Sequence, residues 1–266
     1  METNTRPSDL VRQIVVIVAV VLMIVAAMVG VGLFGGTNVR DLHGGALDAD
    51  ATVLAPARPA FAIWSLIYLL TVLYAVWQAL PSQRARVRQR SVGWWVAATA
   101  VLNGAWLLAA QFLDLFATVL GIVLLVAALA VTMRRLLVIP GVKAADVFLL
   151  DAAVGLHLGW VTLATVANIT AWLKVVGPDS WSQYATPIGV VVLCLVGVLG
   201  IGIAGATRGR LAPALAMAWG LFWIGVARTA GEPASTAVAV TAWIVAVVIV
   251  AVAFVMTVFR SRTAPD

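Results

Sequence analysis

Eight runs of mostly apolar residues, at 14–34, 60–80, 92–112, 116–139, 145–173, 185–206, 211–227 and 237–259, set the rhythm of this chain. A helix needs about 20 such residues to cross the hydrocarbon of a bilayer. In that medium the backbone must satisfy its own hydrogen bonds, which a helix does. The pattern predicts an all-α integral membrane protein with eight transmembrane helices. The third and fourth runs are joined only by Leu113-Asp114-Leu115 and are expected to form an antiparallel hairpin. Two connections are longer. Residues 35–55 carry Asp41, His43, Asp48, Asp50 and several glycines, and read either as a binding lid or as a flexible polar spacer. Residues 174–184, broken by Gly177, Pro178 and Asp179, divide the chain into a five-helix unit (1–174) and a three-helix extension (175–266).

Charge gives the helices a direction. If positive loops stay inside, the loop holding Arg84, Arg86, Arg88 and Arg90 is cytoplasmic. Alternation then puts Arg6, Arg12, Arg134, Arg135, Lys143, Arg208, Arg210, Arg260 and Arg262 on that side, and leaves only Arg40, Arg58, Lys174 and Arg228 on the other. Both termini are expected to be cytoplasmic. At 63% hydrophobic and 11% charged, the composition lies outside that of soluble domains. The net charge of +6 is accounted for by loops that meet anionic lipid headgroups, and nucleic acid is not an expected partner. The first run is longer than a signal-peptide core and no small-residue cleavage site follows Gly35, so it reads as a retained helix. The expected location is a bacterial inner membrane. Cys194, the single cysteine, lies inside the sixth run and supports neither a disulfide nor a cysteine metal site.

Candidate chemistry concentrates in three runs. Pro56-Ala57-Arg58-Pro59 leads into the second helix, where Trp64 and Tyr68, four residues apart, share one face. Asn103, Trp106 and Ala110 recur on one face of the third helix, and His157, Trp160, Ala164, Asn168 and Trp172 on one face of the fifth. Rings and amides on a stripe that lipid does not require suggest the wall of a binding site, with the amides also able to act as interhelical glue. Leu156, Leu163 and Val166 form the opposite surface of the fifth helix, which is expected to face lipid. His157 is a packing residue unless a ligand claims it, and no second His, Cys or spaced carboxylate completes a metal site. Asp151 is a costly intramembrane carboxylate, expected either to pair with Arg134, Arg135 or Lys143 or to carry a proton. Gly197, Gly200, Gly202, Gly205, Gly220 and Gly225 are expected to let helices approach closely. No nucleophile–base set is apparent, so the protein does not read as an enzyme.

Three blocks, in order, resemble the TspO/MBR family of translocator proteins, or tryptophan-rich sensory proteins: the run from Pro56 to Tyr68, Leu102-Asn103-Gly104-Ala105-Trp106, and Gly159-Trp160-Val161-Thr162-Leu163-Ala164-Thr165-Val166-Ala167-Asn168. The family's usual Pro-Tyr pair before the fifth-helix Trp is Leu156-His157 here, and three helices follow the customary five. The resemblance implies a five-helix bundle, often a homodimer, whose pocket takes a flat hydrophobic molecule such as a tetrapyrrole or a sterol. Trp64, Tyr68, Asn103, Trp106, His157, Trp160, Ala164 and Asn168 would line that pocket. Porphyrin photodegradation has been attributed to some members. The function expected is therefore a membrane sensor for a planar hydrophobic ligand. The alternative is a transporter of a small hydrophobic or amphipathic solute through a polar path that includes Asp151 and His157.

Overall fold

The computed structural model describes residues 5–141 and 143–263, and the side chains of Arg40, Arg260 and Arg262, used above for sidedness, lie outside the described set. Among the described residues eight helices are long and apolar enough to cross a membrane. They are α1 (Pro7–Gly30), α2 (Ile63–Ala79), α3 (Val87–Phe112), α4 (Leu115–Val138), α5 (Ala153–Val176), α6 (Ala185–Ala206), α7 (Leu211–Ala230) and α8 (Thr236–Thr263). The α2 span begins with a 3₁₀ turn, Arg58–Ala62, and a π-helical turn, Val147–Ala152, precedes α5.

The ends of the helices depart from the apolar runs for a physical reason. Helix α1 starts at Pro7, ahead of the expected 14, because Asp9, Arg12 and Gln13 are buried and bonded. Asp9 accepts two hydrogen bonds from Arg90 at 2.7 and 2.6 Å. Gln13 donates to the Gln78 carbonyl at 2.6 Å, and Gln78 donates back to the Gln13 carbonyl at 3.1 Å. Side chains that read as a polar flank are thus interior, each supplied with a partner as burial requires. Helix α7 likewise runs on to Ala230 and buries Arg228.

The chain forms two compact units. The first holds residues 1–39 and 64–154, the second 40–63 and 155–266. In the first, α3 packs on both α1 and α4. Gly104 of α3 makes the approach to α1 close: a Cβ there would stand 3.4 Å from the Ala26 methyl and 3.5 Å from the Met23 backbone. The turn between α3 and α4 is tight, and the Asp114 carboxylate caps α4 by accepting from the Ala117 N–H at 2.8 Å. Asp114→Ala is expected to lower stability by about 1 kcal/mol, read as a shift in the midpoint of denaturant unfolding in detergent. Trp77 and Trp95 lie beneath Arg86 and Arg135, with guanidinium-to-ring distances of 5.8 and 5.4 Å, as suits aromatic anchors beside basic helix ends.

In the second unit, α8 packs on α6 and α7 around Leu193, Val196, Leu221, Ile224, Val245 and Ile249. The expected small-residue contacts divide. Gly197 and Gly200 leave slots for Val245 and Ile249, Gly220 for Leu163, and Gly225 for the Trp243 ring, whereas a Cβ at Gly202 would meet nothing within 4 Å. One expectation is overturned here. Leu163 does not face lipid: it is 3% exposed, because Gly220 opens the surface of α7 to it. The span that includes α5 is the most enclosed of the eight, with 67% of its apolar window buried, against 28% for the α2 span.

Candidate functional site

In the first unit α2 and α3 bring four of the expected residues together. The four-residue spacing of Trp64 and Tyr68 places their rings 5.3 Å apart at 30°, and Trp64 faces Trp106 of α3 at 6.4 Å and 24°. The result is a short ladder of near-parallel rings with Trp64 in the middle. All three rings are half-buried. Tyr68 donates its hydroxyl proton to Asn103 Oδ1 at 3.1 Å. Asn103 is fully buried, and its Nδ2 has no hydrogen-bond partner among the described residues. A buried amide donor left unsatisfied costs about 1–3 kcal/mol. This donor belongs to the residue whose Oδ1 receives the hydroxyl of Tyr68, one ring of the half-buried ladder.

In the second unit His157, Trp160 and Asn168 are buried on α5 and Ala164 is half-buried. Trp160 and Phe61 form a T-shaped pair at 5.9 Å and 83°, and Trp160 packs beside Gly220 of α7. The eight candidates thus fall into two groups, one in each compact unit. Asp151 sits in the π-helical turn of the first unit and accepts from Arg88, which lies in the first turn of α3 and outside the expected set of Arg134, Arg135 and Lys143. A one-residue widening of the helix at such a carboxylate is a common mark of a functional turn.

Residues 48–63 run from the long connection into the start of the α2 span as one packed segment. It is a strap seated on helices of the second unit. Asp48 accepts from Arg58 at 3.1 and 2.6 Å, closing the segment on itself as a compact loop. Val53 and Leu54 sink into the core with Leu193 and Val238. Arg228, 1% exposed, donates to the Ala49 carbonyl at 2.7 Å and to the Pro233 carbonyl at 2.9 Å. Lys174 donates to the Ala51 carbonyl. The Ala57 N–H donates to the Trp223 carbonyl at 3.1 Å, and Trp219 Nε1 donates to the Ala60 carbonyl at 2.8 Å. Sequence reasoning passed over Trp219 and Trp223 and used Arg228 only as a loop charge. Two signals were available: the apolar Val53-Leu54-Ala55 inside a polar loop, and a cation directly after the seventh apolar run.

A family model described as TSPO-like protein matches residues 12–255, from the buried end of α1 into α8. No curated protein and no solved structure matches the chain. The match takes in the second, third and fifth helices that carry the ring and amide residues, and also the three helices beyond them. The chain is an integral membrane protein that belongs to the TSPO-like family.

Proposed function

We propose that this protein is a membrane-embedded sensor that binds a planar hydrophobic ligand of the tetrapyrrole or sterol kind. The observation that carries the reading is the half-buried ladder Tyr68–Trp64–Trp106 beside the spare Nδ2 donor of Asn103. Rings already stacked on one another hold a flat ligand face without being reordered, so little of the contact energy is lost to entropy. The spare amide selects a ligand with an acceptor, since an analogue lacking it leaves the donor buried and unsatisfied. The reading is one of binding rather than catalysis. It sets both termini on the cytoplasmic side of a bacterial inner membrane, on the distribution of Lys and Arg along the chain.

The test is tryptophan-fluorescence quenching of the detergent-solubilised protein by a free-base porphyrin, haem and a sterol. Saturable quenching by at least one of them is expected. Trp64→Ala should weaken it about tenfold or more, the usual size for a central aromatic anchor. Quenching that is absent for all three, or unchanged in Trp64→Ala, would sink the reading. A transport reading rests on Asp151, a buried carboxylate in a π-helical turn. It calls for Asp151→Asn to abolish uptake into proteoliposomes while leaving ligand quenching intact.

A further inference from the structure

Lys174 and Arg228 stand in the last turns of α5 and α7, at the depth where a helix leaves the hydrocarbon and basic side chains meet lipid phosphates. Among the described residues neither forms a salt bridge with a carboxylate. Arg228, 1% exposed, donates to the Ala49 and Pro233 carbonyls, and its Nε has no hydrogen-bond partner. Lys174 is exposed and donates to the Ala51 carbonyl. We propose that these two residues form a binding site for an anionic phosphate group, and that the strap closes the site by offering its own carbonyls where the anion would sit. The site lies wholly in the second unit and does not depend on the ring ladder of the first.

Ala49 and Ala51 are two residues apart, a span of at most about 7 Å along the chain, so the cations that hold their carbonyls are near neighbours. Asp50, between them, is exposed, and with Glu232 it attracts Arg228 only from beyond bonding distance. Two carboxylates are thus close by, and the buried guanidinium is nevertheless met by neutral oxygens. A buried charge left in this state is costly unless it is paired. A phosphate oxygen brings a Coulomb attraction that a carbonyl lacks, and the low dielectric around a buried cation enlarges it. The unpartnered Nε also supplies the second prong of a guanidinium fork, which holds two oxygens of one anion side by side. Admission of the anion displaces only residues 49–51, because Val53 and Leu54 are held separately in the core. Lys174 and Asp50 are exposed and Ala49 is half-buried, so the way in is at the surface.

Two measurements on the whole chain test this. The first is native mass spectrometry of the protein titrated with phosphatidylglycerol and with phosphatidylcholine of the same acyl chains. Phosphatidylglycerol should bind about tenfold more tightly, as one added charge-assisted bond implies. Lys174→Gln, at an exposed position, should reduce that preference about three- to fivefold, the value of one exposed ionic contact. A preference undiminished in both Lys174→Gln and Arg228→Lys would place the anion on the Arg-rich loops and overturn the site. The second measurement is amide exchange in nanodiscs. The N–H groups of Ala49 and Ala51 are both bonded to Asp48 and report whether this part of the strap is closed. They should exchange about tenfold faster in phosphatidylglycerol than in phosphatidylcholine, with the amides of α8 unchanged and with a smaller difference in Lys174→Gln. Millimolar inorganic phosphate added to phosphatidylcholine nanodiscs separates the sources. Acceleration by phosphate identifies a free anion as sufficient, and acceleration by phosphatidylglycerol alone identifies a lipid headgroup. Exchange at Ala49 and Ala51 that is equal or slower with both probes overturns the proposal, since the strap would then be no competitor of an anion.

Discussion

A single methyl group added at Gly159, as alanine, is expected to cost about 3 kcal/mol or more of stability. The reason lies in what that methyl would meet. A Cβ at this position of α5 would fall on the carbonyl oxygen of Pro213 in α7 and within 2.8 and 2.9 Å of the Pro213 carbonyl carbon and Cα. These are backbone atoms of a packed helix, with no side-chain torsion to carry them away, so the two helices themselves would have to part. Overpacking of this kind usually costs about 1–3 kcal/mol, and backbone obstruction places it at the upper end. The damage would not stay local. Leu163 follows Gly159 by one turn on the same face and fills the slot at Gly220 of α7, so parting the helices at Pro213 also loosens that contact. Gly202→Ala is the matched control: its Cβ has open space around it, and a helix-interior alanine should gain about 0.5–1 kcal/mol. Unfolding midpoints in graded denaturing detergent measure both. Equal midpoints for Gly159→Ala and the parent would mean that α5 and α7 do not approach at this point.

The same pair of glycines shows what the sequence discloses and what it withholds. Both sit among apolar residues of a spanning helix, and small residues in such helices generally mark close packing. Nothing in the local pattern distinguishes Gly159, which is pressed against a neighbour, from Gly202, which faces open space, because the partner lies on another helix. The spans themselves were legible, since length and apolarity are properties of one segment. So was the meeting of Trp64 with Tyr68, which follows from helical spacing alone. The ends of α1 and α7 were not, because Asp9, Arg12 and Arg228 read as solvated flanks unless their partners are known. Leu163 was assigned to lipid for a related reason: periodicity tells which residues share a face, not which face is covered. The strap was the least legible element. A loop has no period, and its seat is defined by residues more than a hundred positions downstream, as in Ala49 with Arg228.

That last bond carries the other large effect. Arg228→Met is expected to cost about 2–4 kcal/mol and to free residues 49–55. A buried guanidinium is itself expensive, and replacing a buried charge with an apolar residue is sometimes neutral. Here, however, the charge donates to two part-buried backbone carbonyls, Ala49 and Pro233, and both lose that donor when it is gone. Methionine fills much of the volume of the stem but offers them no donor. Two bonds from a charged donor, each worth about 1.5–3 kcal/mol, are lost, which outweighs the relief of burying one charge fewer. Arg228→Lys keeps the charge without the fork that reaches two acceptors at once, so it should recover less than half of the loss. Amide hydrogen exchange separates this account from general destabilisation. In Arg228→Met the amides of 49–55 should exchange well before those of α3 and α4, which belong to the other compact unit. Uniform acceleration across both units would mean that Arg228 supports the whole molecule and not the strap. Protection unchanged at 49–55 would mean that Val53 and Leu54, in the core of the second unit, are enough to hold it.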